Sequence, residues 1–270
     1  MKYKLIATDL DGSLINDNEE ISERNQQAIN KAIEAGVLFV TATGRPFMNT
    51  GIVRDFLSKD MPFIVLNGAE IYMGKSEKLL VEKFLDFELA HELFEQGQER
   101  GVSQIIWTGT QMWTNRICDE TVRYQHRAKC KEILPLTDFT TLKDQNKNIS
   151  KMQWIVDPDN VKALSSEMSS HFGDRLTCAS SLVYLLEFIG NNCGKGIALA
   201  DLGKLFGIDR TKMIAIGDAY NDVCMIKYAG LGIAVGNAPD DIKAEADYVT
   251  VSNNDDAVAE VIERFILPTT

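Results

Sequence analysis

The chain alternates short, continuously apolar runs with stretches whose apolar residues return every three to four positions. Lys4–Thr8, Val37–Thr41 and Phe63–Leu66 read as buried strands. Between the first two, Ala28, Ile29, Ala32 and Ile33 mark the inner face of a helix that Ser22 can cap and Gly36 can end. The same rhythm returns late in the chain. A helix over Lys195–Phe206 stops near Gly207, and strands at Met213–Ile216, Gly232–Val235 and Tyr248–Val251 alternate with helices, the last of them closing the chain. Strands that are apolar on both faces, each followed by a helix, predict a parallel sheet covered on both sides.

The middle reads differently. From Glu82 to Glu187 the expected strands, such as Gln104–Thr108 and Met152–Val156, are amphipathic, and this block holds all three tryptophans and all three histidines. Because both ends of the chain feed one sheet, the middle is expected to be an insertion that folds on its own. The predicted organisation is a core of residues 1–81 and 188–270 interrupted by an α+β domain of residues 82–187.

Composition narrows the chemistry. Apolar residues make up 45% of 270, enough for a proper core, and the formal net charge is −11. Such a surface repels polyanions, so nucleic acid and anionic membranes are not expected as partners. An anionic substrate would need local positive charge: a metal, a lysine, or aimed backbone N–H groups. Cys118, Cys130, Cys178, Cys193 and Cys224 are odd in number and form no CxxC pair, which fits free thiols in a reducing cytoplasm. The opening residues are too short an apolar run for a signal peptide, and no segment reaches the length of a membrane span. His91, His126 and His171 are too scattered to suggest a metal centre.

The candidate chemistry sits where the expected strands stop, the place where open parallel sheets bind ligands. Asp9-Leu10-Asp11-Gly12-Ser13-Leu14 puts two carboxylates on one side of an extended chain, and their repulsion calls for a cation or a shared proton. Taken alone it is also a common Asp-Gly turn. Its glycine is fourth in the run, not sixth as in an EF-hand loop. Thr41-Ala42-Thr43-Gly44-Arg45-Pro46 offers a hydroxyl, a glycine and a helix start suited to phosphate, although a simple capped junction looks the same. Gly194-Lys195-Gly196 lets a lysine approach an anion closely, but it is not a P-loop. Gly217-Asp218-Ala219-Tyr220-Asn221-Asp222 gathers oxygen ligands suited to Mg²⁺, or to capping a helix.

In this order the four segments resemble the four motifs of the haloacid dehalogenase superfamily. Asn67-Gly68-Ala69 and the run Ala229-Gly230 to Gly236-Asn237-Ala238 resemble its Cof-type sugar-phosphate phosphatases. Ser13 stands where threonine is commoner, with the hydroxyl kept. The resemblance implies an α/β fold, with a Rossmann-like parallel-sheet core and an inserted α+β cap. It also implies a cytoplasmic, Mg²⁺-dependent hydrolase of small phosphorylated metabolites. By the same resemblance Asp9 is the nucleophile and Asp11 the general acid and base. Asp9, the Asp11 carbonyl and Asp218 bind the metal. Leu10, Thr43, Gly44, Lys195 and Asn221 hold the phosphoryl oxygens, and Arg45 and Asp222 act from a second layer. A sugar phosphomutase on the same scaffold and a non-catalytic phosphate-binding module stay open as alternatives. A dinucleotide-dependent oxidoreductase does not, because no GxGxxG follows the first strand.

Overall fold

In the computed structural model, which describes residues 2–267, the first strand β1 (Leu5–Thr8) is buried along its whole length. It is followed by β2 (Leu38–Ala42), β3 (Pro62–Val65), β4 (Glu70–Met73) and β5 (Leu79–Glu82). The inserted block contributes β6 (Ser103–Thr108), β7 (Gln111–Thr114), β8 (Ile133–Pro135), β9 (Lys151–Ile155), β10 (Leu176–Leu182) and β11 (Leu185–Gly190). The chain then returns with β12 (Met213–Gly217), β13 (Leu231–Ala234) and β14 (Tyr248–Val249).

Two compact units result, one of residues 1–44, 50–81 and 194–270, the other of residues 45–49 and 82–193. In the first, the sheet order is β14-β13-β12-β1-β2-β3-β4-β5, parallel from β14 through β3, with β4 antiparallel to β3. Register fixes the functional edge. Thr8 is level with Ile216 of β12 on one side and with Thr41 of β2 on the other. The central strand therefore ends at Asp9, flanked one residue further along by Thr43 and Asp218.

Side chains two apart on a strand share a face. Leu5 and Ala7 accordingly pack with Val40, Ala42, Met213 and Ala215 against Ala198, Leu199 and Leu202 of the helix Lys195–Phe206. That helix starts after Gly194 and ends at Gly207, which takes the left-handed conformation at the C-cap. The helix Glu23–Glu34 buries Ala28, Ile29, Ala32 and Ile33, and its Ser22 cap accepts the Asn25 N–H at 3.1 Å. Asn25 itself is buried, and its Oδ1 accepts the N–H of Ala259, 2.8 Å away, in the first turn of the helix Ala257–Phe265. That helix has no capping bond from its own N-cap side chain, Asp256, so a neighbouring element supplies the partner.

The second unit is built on a six-stranded sheet, β10-β11-β9-β6-β7-β8, antiparallel except for β7 with β8. One face carries Ile106, Met152, Trp154, Leu186 and Phe188 into a core with Leu93, Phe94, Met168 and Phe172 of two helices. The expectation of amphipathic strands needs correction here, because β6 is buried on both faces and β9 nearly so. The alternate positions are polar yet buried, and they are satisfied by one another. Gln153 Oε1 accepts from Trp107 Nε1 and Tyr124 Oη, both at 2.8 Å. Gln153 Nε2 donates to Glu187 at 2.7 Å, and Lys151 ion-pairs with the same carboxylate. Buried polar groups are tolerated when paired in this way. Trp113 and Trp154 also pack in the core, their indole N–H groups donating to Thr108 and Gln104.

Two expected boundaries shift. The insertion runs to Cys193 rather than ending at 187, because residue 188 lies inside β11, which is bonded to both β10 and β9. Strand β3 stops at Val65, since Leu66 already turns to φ +49°. All five cysteines are free thiols. Among the described residues, no helix is long and apolar enough to cross a membrane.

Replacing Asn25 by alanine should leave the Ala259 N–H buried and unpaired. We expect a loss of about 1–3 kcal/mol in unfolding free energy, read from the urea midpoint. An unchanged midpoint would show that this bond does not hold the two helices.

Candidate active site

Asp9 prolongs β1 by one residue, its N–H donating to Ile216 O at 2.9 Å, and then the chain turns. The turn is closed by Leu10 O, which accepts from the N–H groups of Ser13, Leu14 and Ile15. Gly12 sits at φ +81°, and a Cβ there would run into the Asp218 carboxylate. Only glycine combines that backbone with that approach. Asn237 Nδ2 ties the same turn down by donating to Gly12 O at 2.8 Å, and Ser13 Oγ donates to Asp218 Oδ1 at 2.7 Å.

Lys195 opens its helix with a fully buried side chain, and Nζ donates to Asp9 Oδ1 at 2.6 Å and to Asp222 Oδ1 at 2.5 Å. The other oxygen of Asp222 accepts the N–H groups of Asp218 and Ala219 at 3.2 and 3.0 Å. Asp222 is thus used up in holding the lysine and the loop after β12. Thr43 is buried at the end of β2, its N–H donating to Ile64 O at 2.8 Å. Asn221 Nδ2 donates to Asn67 Oδ1 at 3.1 Å. Leu10 is buried and Asp11 is exposed. Arg45 groups with the second unit, where its guanidinium donates to Asn49 O at 3.4 Å.

The charges do not balance. Asp9, Asp218 and Asp222 each bring a carboxylate oxygen within 4.8 Å of the others, against one ammonium. Burial holds the Asp9 carboxyl well above its ordinary range; Lys195 pulls it down, but Asp222, Asp218 and Asp11 push it up again. Burial likewise pushes Asp218 up to about 6, with Asp222 and Asp11 adding to the effect and the Ser13 hydroxyl and Lys195 opposing it. Burial alone would favour a neutral Lys195, yet Asp222 and Asp9 outweigh it and keep the ammonium charged above its usual range. A second cation would relieve the surplus. The donor set suits a hard one. Among the described residues, Oδ2 of Asp9 and Oδ2 of Asp218 take no hydrogen bond, and both are carboxylate oxygens.

Three contributors escaped the sequence reading: Ser13 as the holder of Asp218, Asn237 as the tie on the Gly12 turn, and Asn67 as the partner of Asn221. Each lies inside or beside a quoted motif, but which atom a hydroxyl or amide serves is a property of the folded neighbours.

A sequence profile of the haloacid dehalogenase-like hydrolases matches residues 6–262. A 5-amino-6-(5-phospho-D-ribitylamino)uracil phosphatase of Bacillus subtilis is 31% identical over 265 residues, covering 98% of this chain and 96% of that protein. The crystal structure of a haloacid dehalogenase-like hydrolase from Bacteroides thetaiotaomicron is 33% identical, with a TM-score of 0.81 over 98% of this chain and all of that one. A haloacid dehalogenase-like hydrolase from B. subtilis superposes with a TM-score of 0.86 at 25% identity, covering 97% of this chain and 100% of the other. With its parallel sheet ending in Asp9, Thr43 and Asp218 around a buried lysine, the chain belongs to the haloacid dehalogenase-like hydrolases, as a Cof-type phosphatase.

Proposed function

We propose that the chain hydrolyses a small phosphorylated metabolite, a sugar or sugar-alcohol phosphate, with Mg²⁺ and through an aspartyl-phosphate on Asp9. The observation that carries this reading is the carboxylate surplus around Lys195 at the centre of the sheet edge. A purely structural ion pair would need one carboxylate per ammonium. The surplus is suited to a cation and a phosphate together.

Asp9 and Asp218, with the Asp11 carbonyl, are the groups that would hold Mg²⁺. Bound there, the ion would offset the repulsion between the carboxylate nucleophile and the phosphate. Lys195 engages Oδ1 of Asp9 and so holds the carboxylate in one orientation. The Asp9 carboxylate attacks phosphorus in line, and the bond from phosphorus to the alcohol oxygen breaks. Asp11 gives its proton to the leaving alkoxide. In the second half, Asp11 takes a proton from a water that attacks the phosphoryl-aspartate, and the bond from phosphorus to Asp9 breaks to release phosphate. The Thr43 hydroxyl, the Leu10 and Gly44 N–H groups, Lys195 and Asn221 are assigned to the phosphoryl oxygens, where fixed donors act most strongly as charge develops. Asp222 keeps Lys195 in place.

The B. subtilis relatives named for 5-amino-6-(5-phospho-D-ribitylamino)uracil act on a phosphate ester of a ribityl chain. That favours a phosphorylated polyol or sugar as the substrate class here. Selectivity within the class is assigned to the inserted block, which carries none of the strand-end motifs. The acidic surface and free thiols fit a cytoplasmic enzyme with small-molecule partners.

Asp9→Asn should abolish release of p-nitrophenol from p-nitrophenyl phosphate while leaving the circular dichroism spectrum unchanged. Turnover close to that of the native chain would remove Asp9 as nucleophile. EDTA should silence the enzyme and Mg²⁺ should restore it. Mg²⁺ at a hundred times its dissociation constant should also raise folding stability by about 2.7 kcal/mol, a rise that Asp218→Asn removes. Catalysis that persists in chelator, or a melting temperature blind to Mg²⁺, would contradict the metal assignment.

A further inference from the structure

The turn after β3 has an unusual backbone. Leu66, Asn67 and Gly68 all have positive φ, at +49°, +57° and +95°. Glycine adopts this region freely and asparagine tolerates it, whereas a leucine there is strained. Such strain persists only where the surroundings enforce it, and it concentrates at functional sites.

The strained turn touches three of the four strand-end segments. The Asn67 N–H donates to Thr43 O at 3.1 Å. A Cβ on Gly44 would come within 2.9 Å of Asn67 Oδ1, so the Gly44 backbone lies against the Asn67 amide. A Cβ on Gly68 would strike the backbone carbonyl of Gly194, the residue that caps the Lys195 helix. Finally, Asn67 Oδ1 accepts Nδ2 of Asn221. That is the only hydrogen bond the Asn221 side chain makes among the described residues, and its own Oδ1 is buried without a partner.

We propose that Asn67 is a positioning residue that orients the Asn221 amide, and through it the phosphoryl-holding donors, for catalysis. The inference rests on the assignment of Asn221 to the phosphoryl group. An amide can present either its oxygen or its nitrogen, and only its partners decide which. Asn67 Oδ1 claims one N–H of Asn221, which fixes the plane of the amide and the direction of the second N–H. Asn67 is itself almost fully buried, between Gly44 and Asn221. The strained backbone is what brings a side chain from the end of β3 to that place, where a regular strand ending would not.

The test is a double-mutant cycle in the full-length chain with Mg²⁺ and p-nitrophenyl phosphate. Asn67→Gly keeps a backbone that accepts positive φ and removes the amide. It should lower kcat about tenfold with little change in KM. Asn221→Ala should lower kcat at least as much, and the double variant should be no slower than Asn221→Ala alone. Losses that multiply, or an unaltered kcat in Asn67→Gly, would overturn the proposal. A second reading does not depend on turnover. The Asn221 side-chain amide signal, assigned by its disappearance in Asn221→Ala, should shift in the NMR spectrum of Asn67→Gly; an unmoved signal would overturn the proposal as well. If Asp9→Asn kept its activity, the phosphatase mechanism would fall, and the amide signal would still decide whether Asn67 holds Asn221.

Discussion

Everything at the sheet edge depends on one buried ammonium. Lys195 is bonded to Asp9 and Asp222 at once, and it is the only cationic side chain bonded to these carboxylates among the described residues. Removing one partner from a buried ion pair costs about 3–5 kcal/mol, because the other charge is left uncompensated. Here the imbalance runs in advance: three carboxylates meet one lysine. The fold accepts that cost by tying each acid down. Ser13 holds Asp218, two backbone N–H groups and Lys195 hold Asp222, and the β1–β12 ladder holds the Asp9 backbone.

The sheet explains why these groups meet. Parallel strands in register end together, so residues distant in sequence arrive at one edge without long loops to position them. The level of Thr8 with Thr41 and Ile216 is enough to bring the Asp9, Thr43 and Asp218 segments side by side. Lys195 comes from a different kind of element, the first turn of a helix whose Leu199 and Leu202 are locked in the core beneath the sheet. The reactive edge therefore inherits its rigidity from the apolar packing under it.

Much of this was legible in the sequence, because continuous apolar runs with a polar residue at their ends are hard to mistake. Asp9, Thr43 and Asp218 each follow such a run, and Lys195 stands between two glycines at a helix start. What could not be read came from two physical sources. Alternation of polar and apolar residues signals two faces of a strand but not whether the polar face meets water. Lys151, Gln153 and Glu187 are buried because they satisfy one another across β9 and β11, and that pairing exists only after the sheet forms. Likewise the turn at Leu66–Gly68 reads as the end of an apolar run, and the left-handed backbone of its leucine is imposed by the surroundings. The end of the insertion at Cys193 is hidden from the sequence for a related reason, since nothing local in Phe188–Gly190 reveals which neighbours it will bond.

The central claim is that Asp9 carries the phosphoryl group during turnover. It is tested most directly by acid-quenching the enzyme while it turns over a radiolabelled phosphate monoester and mapping the label by peptide mass spectrometry. The account predicts a label that hydroxylamine removes, on the peptide containing Asp9, and no label in Asp9→Asn. A fully active enzyme that carries no label under these conditions, or carries it on another residue, would contradict it.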